Sequence, residues 1–401
     1  MPSSPLLLSR APAEYGADCS PAGLRPYPST AIASPSAWVA RVTAGASVAA
    51  MPREYCACSR EVSDMPVECK SVSVVMATYN GAKYVEEQLQ SIIGQTFRPL
   101  EIIVSDDASS DATLEIVERL AAGCGIETKI LRNAKPLGFR DNFLRASLIA
   151  RGDFIAFCDQ DDVWDAEKLE KCSKFFADPS ISMIVHTAIT VDRNANKIGD
   201  FRQGIRRSGI RQPLSYDPWL TFFGFSIVYR RELLRVADIN DRFIDYIVPT
   251  EMIAHDRWIM FLAQMVGSTA ELAEPLVKYR QHESNTFGSR SKNRKRFDRD
   301  IRRDTDFYIA STAKMLEIVC NIPEEVGYEF PLFDRDKSKL YLERALNQLT
   351  MRRYIYNSQS KISSFGKIYR CVKTGSYRSV HGGHNRWRSL GRDLQFALLG
   401  R

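Results

Sequence analysis

No stretch of the 401-residue chain approaches the roughly 18 uninterrupted apolar residues that a membrane-spanning helix needs. Apolar patches such as Trp219 to Val228 are short and carry polar residues, so a helical span is excluded. The N-terminal residues do not read as a secretory leader: Pro5-Leu6-Leu7-Leu8 is too brief, and Arg10 and Glu14 follow almost at once. The expected location is the cytoplasm, with peripheral contact at the inner face of the membrane left open. The nine cysteines form no paired framework, and an odd number leaves at least one unpaired. Cys56-Ala57-Cys58 with Cys69 lacks the two-residue gap and the nearby histidine of a zinc knuckle, so reduced structural thiols are expected. No Gly-x-Gly-x-x-Gly or Walker-type run follows the first apolar strand, which argues against the phosphate-loop transferases. There is no internal repeat.

What is present belongs to a globular protein, with 44% hydrophobic and 26% charged residues. The net charge of +7 is unevenly placed. Between Lys361 and Arg401 nine basic residues face the single acid Asp393, an excess of +8. Such a tail is a solvated basic face, or else one drawn to anionic lipid head groups or a polyanionic substrate. Nucleic acid is not an expected partner, because no recognition motif accompanies the charge and few aromatics interleave it.

The chain divides by composition. Residues 1–66 are rich in Ala, Pro and Ser and show neither helical nor strand period, as expected of a disordered or mis-assigned leader. Met51 and Met65 offer later starts. From Ser71 the pattern changes. Val72 to Ala77, Glu101 to Ser105, Thr128 to Leu131 and Phe154 to Phe157 read as buried strands. They alternate with helical stretches at Tyr84 to Gly94, Ala112 to Ala122 and Asn142 to Ala150. Ser109 and Ser110 are candidate caps for the second helix, with Asp111 favourable in its first turn. Alternation of this kind implies a mostly parallel, Rossmann-like sheet with helices on both faces, which binds ligands at the carboxyl ends of its strands. Residues 166–177 look helical; Met183 to Val191, Phe222 to Tyr229 and Leu276 to Tyr279 suggest further strands. After Gly288 a basic link (Arg290, Lys292, Arg294, Lys295, Arg296) leads into amphipathic helices at Ile301 to Cys320 and Leu340 to Tyr356. The expected organisation is a catalytic domain over 67–288 and a basic, mainly helical module over 289–401.

Three strands end in polar clusters: Thr78-Tyr79-Asn80, Asp106-Asp107 and Asp159-Gln160-Asp161-Asp162. Three carboxylates within four residues at the end of a buried strand are costly unless something cationic sits there. Hard cations such as Mg²⁺ and Mn²⁺ take oxygen ligands and share them with substrate phosphates. The alternative for the cluster is a solvated turn with capping aspartates.

In order along the chain stand Met76-Ala77-Thr78-Tyr79-Asn80-Gly81, Ser105 to Asp111, Gly138-Phe139 with Asn142-Phe143, and Cys158-Asp159-Gln160-Asp161-Asp162-Val163-Trp164. Gly224-Phe225-Ser226, His255-Asp256-Arg257-Trp258 and Tyr279 to Asn285 follow. This succession, covering roughly Ser71 to Gly288, resembles family 2 glycosyltransferases with the GT-A fold, best their bacterial polysaccharide and rhamnosyltransferase-like members. The resemblance implies an inverting glycosyltransferase of cell-surface polysaccharide synthesis. It would use a UDP- or dTDP-sugar, dTDP-rhamnose being the leaning, with Mg²⁺ or Mn²⁺ and a saccharide or lipid-linked acceptor. Another nucleotide-dependent transferase, such as a nucleotidyltransferase, and a catalytically silent carbohydrate- or membrane-binding module are the alternatives.

The resemblance also implies residue roles. Asp256 is the catalytic base, in a helix N-terminus that would lower its pKa. Thr78, Tyr79, Asn80, Asp107, Asp159 and Gln160 bind the nucleotide sugar, Asp107 as acceptor for an imide N–H of uracil or thymine. Asp161 is the favoured metal ligand, with Asp159 and His282 as further candidates. Gly224, Phe225, Ser226 and Trp258 lie on the acceptor side, and Trp164 packs beneath the site. Asp162 either joins the cluster or caps the following helix. His186, His381 and His384 are read as non-catalytic. One departure is Ala108, where a small turn residue, often Gly, commonly follows the acids.

Overall fold

The structure is a computed structural model that describes residues 70–282, 300–381 and 386–399. The described residues all belong to one compact unit. The leader, Cys56, Cys58, Cys69, residues 283–285 of the last motif block, the basic link and His384 lie outside the described residues.

The strands are β1 (Val72–Thr78), β2 (Glu101–Asp106), β3 (Glu127–Arg132), β4 (Phe154–Asp159), β5 (Val163–Trp164), β6 (Ile181–Val191), β7 (Lys197–Phe201), β8 (Gly209–Arg211), β9 (Ile227–Arg230) and β10 (Ser268–Arg280). The helices are α1 (Val85–Ile93), α2 (Thr113–Gly123), α3 (Phe139–Ser147), α4 (Lys168–Ser173), α5 (His255–Val266), α6 (Ile301–Asn321), α7 (Val326–Glu329), α8 (Arg335–Tyr356), α9 (Lys361–Lys373) and α10 (Trp387–Leu399).

One sheet runs in the order β3-β2-β1-β4-β9-β6-β10-β5, with β7 beside β6 and β8 beside β10. The four strands read from the apolar runs pair in parallel, as expected. The sheet as a whole is mixed rather than mostly parallel: β9 runs antiparallel to both β4 and β6, and β5, β7 and β8 are antiparallel too. β9 lies between β4 and β6, so those two are not joined directly.

The pleat of β1 shows how the sequence builds two cores. Val72, Val74 and Met76 point to one face, where α1, α2 and α4 supply Val85, Leu89, Ile92, Val117 and Leu169. Val75 points to the other, with Ile103, Ile155 and Phe157, covered by Phe143 and Leu144 of α3 and by Trp258 and Ile259 of α5. Each such side chain, fully buried, contributes about 1.5–3 kcal/mol. At the amino ends of the strands the Ser73 hydroxyl donates to buried Glu101 at 2.8 Å, and Lys129 pairs with the same carboxylate at 2.8 Å.

Local details depart from expectation. α3 begins at Phe139, three residues early, because Gly138 turns the chain there with φ +81°, a conformation glycine adopts without strain. Ser109 and Ser110 do not cap α2; their hydroxyls go to Asp106 and Asn80, while Asp111 accepts from the Thr113 N–H at 3.1 Å. The C-terminal helices do not pack as a separate module. Met315 and Ile318 of α6 and Tyr341, Leu342 and Ala345 of α8 belong to the same core as α3 and α5. Only the end of α8 with α9 and α10 forms its own cluster, around Ile355, Ile368 and Phe396. There Asp393, the lone acid of the basic tail, is buried and accepts from Arg352 at 2.7 and 2.8 Å and from the Tyr377 hydroxyl at 2.8 Å. No helix among the described residues is long and apolar enough to cross a membrane.

Candidate functional site

The parallel register brings the polar strand ends to one rim: Thr78 stands opposite Asp106, and Ala77 opposite Asp159. The loop after β1 is held from both sides. The Gln160 side chain accepts from the Tyr79 N–H at 2.8 Å and donates to the Tyr79 carbonyl at 3.0 Å. Asn80, at φ +47°, donates its N–H to Ser109 Oγ and accepts from the Ser110 N–H. Ala108 also has positive φ, +64°. The Tyr79 side chain is left 52% exposed over the rim, as a stacking platform would be.

Several expected nucleotide contacts have other duties. Thr78 is buried, and its hydroxyl donates to Asp106 at 2.8 Å. Gln160 is a brace for the Tyr79 backbone. Asp107 is buried, and its carboxylate accepts from Asn133 Nδ2 at 3.0 Å, the Leu137 N–H at 2.6 Å and the Gly138 N–H at 2.8 Å. A carboxylate has about four acceptor positions, so roughly one is left for a ligand. The Gly138-Phe139 and Asn142 block thereby acquires a physical reason. Asn142 donates to the Ser105 carbonyl at 2.8 Å and accepts from Asn133, fixing the loop on which Asp107 leans.

The acidic cluster lies at the end of β4. Burial, followed by the charges of Asp161 and Asp256, pushes the Asp159 carboxyl up to about 7. Asp162 is buried and pushed well above the carboxylate range by burial and by Asp161 and Asp159. It does not cap a helix: its Oδ1 accepts from the Arg280 N–H at 3.0 Å, and its Oδ2 has no hydrogen-bond partner among the described residues. Asp161 Oδ2 lies 2.8 Å from His282 Nε2, and the His282 ring stacks on Tyr84 at 5.1 Å between centroids.

Two buried cations brace this turn, and sequence reasoning missed both as elements of the site. Arg280 donates to the Asp161 carbonyl at 2.9 Å and pairs with Glu87 at 2.5 Å. Lys168 donates to the Phe225 carbonyl at 2.8 Å and lies 3.4 Å from the Trp164 ring centroid, its pKa drawn down to about 8 by burial. Trp164 is accordingly buried under the turn. A lysine in an amphipathic stretch gives no sign of this; the one signal was its position just after a Trp at the foot of an acidic turn.

Asp159 and Asp161 offer the oxygen donors that Mg²⁺ or Mn²⁺ takes, and the burial and neighbouring carboxylates that raise Asp159 are what a cation there would offset. No group of three His, Cys, Asp or Glu residues fit to hold an ion occurs among the described residues, so a ligand's oxygens would have to complete the shell.

Asp256 sits half-buried in the first turn of α5. Its pKa is raised rather than lowered, because burial outweighs Arg257, the Arg257 N–H at 2.7 Å and Arg140. The Arg257 guanidinium pairs with buried Asp245 at 2.9 Å, and Arg140 with the same carboxylate at 2.7 Å, which leaves Asp256 without a salt-bridge partner of its own among the described residues. The Asp256 charge contributes to raising Asp159, so the two carboxylates lie within electrostatic reach of each other.

The acceptor-side expectation is corrected by burial. Gly224, Phe225 and Ser226 form a buried one-turn helix, and Trp258 is wholly buried. They position the site from within the core: Phe225 anchors Lys168, and a Cβ on Gly224 would lie 2.7 Å from His255 Nε2. His255 stacks on Phe143 at 4.1 Å and meets the edge of Phe157 at 4.8 Å, its pKa pushed down to about 3 by burial. His186 is buried and likewise depressed, while His381 is exposed.

Residues 73–236 match the model of the family described as Glycosyl transferase family 2. The dTDP-rhamnosyl transferase RfbG of Shigella flexneri is 29% identical over 227 residues, which cover 53% of this chain and 74% of that protein. An uncharacterized protein of Mycobacterium tuberculosis is 28% identical over 232 residues, 56% of this chain. The chain spans only 63% of the length of that relative. Among solved structures, that of Staphylococcus aureus TarS 1–349 in complex with UDP-GlcNAc is similar with a TM-score of 0.48 and 18% identity, over 78% of this chain and 90% of that one.

Proposed function

We propose, from the match of residues 73–236 to the glycosyl transferase family 2 model, that the chain is a metal-dependent, inverting glycosyltransferase. It moves a sugar from a UDP- or dTDP-sugar, with dTDP-rhamnose the favoured donor, to a saccharide or lipid-linked acceptor in cell-surface polysaccharide synthesis. The observation that carries this reading is the register that brings the ends of β1, β2 and β4 to one rim, where Tyr79, Asp107 and the Asp159–Asp161 cluster follow, with Asp159 within electrostatic reach of Asp256 at the start of α5.

The base stacks on the exposed Tyr79 ring, and the remaining acceptor position of Asp107 takes an imide N–H. Asn80 shapes the loop that carries Tyr79. Asp161, with His282 beside it, and Asp159 face the diphosphate and would hold Mg²⁺ or Mn²⁺. That ion supplies charge neutralisation of the departing diphosphate. The acceptor hydroxyl attacks the anomeric carbon in line as the nucleoside diphosphate leaves from the opposite side. Asp256 takes the hydroxyl proton, and its raised pKa makes it a better proton acceptor than an ordinary surface aspartate.

Thermal shift with UDP or dTDP tests the donor half. A rise in melting temperature that needs Mn²⁺ or Mg²⁺, that ATP does not produce and that Asp161→Ala abolishes is expected. A folded protein that responds to neither pyrimidine diphosphate would refute the reading.

A further inference from the structure

Away from the rim, α6, α8, α10 and the 217–220 segment line an open cleft of about 650 Å³. That volume is within the ordinary range for small-molecule sites. Its chemistry is mixed in a particular way. Arg352 and Arg386 in its wall are committed, Arg352 to Asp393 and Arg386 to Asp217 at 2.5 Å. Arg388 and Arg392 are not: both line the cavity from one face of α10 at i,i+4 spacing, both are exposed, and neither has an ion pair among the described residues. Trp387 beside them is 69% exposed, an unusual state for an indole ring. Across the cavity Asp304 of α6 also lacks an ion pair among the described residues, and Trp219 and Tyr308 line the floor.

The floor leads toward the proposed base. The Tyr246 hydroxyl donates to the Trp219 carbonyl at 3.0 Å, and its ring lies 4.6 Å from that of Tyr308. The Arg257 guanidinium, one residue from Asp256, lies 5.4 Å from the Tyr246 ring. Arg257, next to Asp256 in the chain, is thus linked through Tyr246 to the floor of the cleft by successive contacts.

We propose that this cavity binds an acidic saccharide, one bearing carboxylate or phosphate groups, as part of the acceptor chain; the proposal rests on the glycosyltransferase reading above. Arg388 and Arg392 bind the anionic groups through charge-assisted hydrogen bonds. The Trp387 ring offers an apolar face to the C–H surface of a sugar ring, with its N–H free to reach a hydroxyl. Asp304 accepts from sugar hydroxyls, which a bare anion or a lipid phosphate does not supply. The concavity favours a saccharide over a flat membrane surface, because the two arginines line a cleft that is open to solvent on one side.

The test is calorimetric titration of the full chain with tetragalacturonate, with phosphorylated mannopentaose and with neutral cellotetraose. At least one acidic oligosaccharide is expected to bind tenfold or more tightly than cellotetraose. Arg388→Gln with Arg392→Gln, and separately Trp387→Ala, should each weaken that binding at least tenfold in protein that melts like the wild type. Three results would overturn the proposal: neither acidic oligosaccharide binds, the double variant binds as the wild type does, or phosphatidylglycerol vesicles bind through these arginines while no oligosaccharide does. A missing UDP or dTDP shift in the wild type would instead refute the donor reading and leave the saccharide titration standing.

Discussion

Gly81→Ala isolates the brace between the first and fourth strand ends. A Cβ on Gly81 would lie 2.1 Å from Gln160 Oε1 and 2.5 Å from its Cδ, far inside contact distance. Its φ lies outside the positive range, so alanine carries no backbone strain there. The collision is relieved only if the Gln160 side chain swings away, breaking its bonds of 2.8 and 3.0 Å to the Tyr79 backbone. Each bond contributes about 0.5–1.5 kcal/mol net, and at an exposed site the lower half applies, so the cost is about 1–2 kcal/mol. Gln160→Ala breaks the same two bonds and should cost about the same. In the Gln160→Ala background the atoms nearest the new Cβ are gone, and Gly81→Ala is expected to be neutral within a few tenths of a kcal/mol. The double-mutant cycle, measured by urea denaturation, should therefore give a coupling of about 1–2 kcal/mol. If Gly81→Ala is as costly without Gln160 as with it, the brace is not what the glycine accommodates.

Ala108→Gly should stabilise the protein by about 1 kcal/mol, because Ala108 sits at φ +64°, where a Cβ is strained and glycine is not; an unchanged urea midpoint would show the strain to be absent. Acid sensitivity should follow His255, whose folded pKa of about 3 lies below the 6.5 of a free imidazole. The unfolded chain takes up the proton first as pH falls, so this stability is present above about 6.5 and is lost on the way down, by up to about 1.4 kcal/mol per pH unit. His186 is shifted in the same direction. His255→Phe, which keeps the aromatic packing, should flatten the fall in stability between pH 7 and 5; an unaltered slope would refute the assignment. Transfer activity should fall on the acid side at a pH above the usual aspartate range, since burial raises Asp256 and the base must be ionised; an acid limb at or below the free aspartate value would contradict this.

The first half of the fold was legible because each buried strand is a short β-branched run that stops at polar residues, a pattern local to a few positions. β1 to β4 and their rim followed from it. The mixed half was not legible: β9 enters between β4 and β6 through pairings of residues dozens of positions apart, which no local pattern encodes. The site divides in the same way. Asp159, Asp161 and Asp256 announced themselves as charges ending or interrupting apolar runs. What surrounds them was hidden, because the partners are distant in the chain: Gln160 with Tyr79, Arg280 with Asp162, Lys168 with Phe225. Phe225, Ser226 and Trp258 were assigned to the acceptor side by resemblance, yet their burial places them behind the surface. Asp393 read as an isolated acid in a basic tail, whereas its burial with Arg352 and Tyr377 pins α10 to α8.

The central claim, that Asp256 takes the acceptor proton at a donor site built from the strand ends, is tested most directly by Asp256→Asn. The substitution keeps shape and removes the base. The account expects the metal-dependent thermal shift with UDP or dTDP to persist while the rate of sugar transfer, followed by product mass, falls about 10²–10⁴-fold. Transfer at the wild-type rate in a variant that still binds the nucleotide would contradict it.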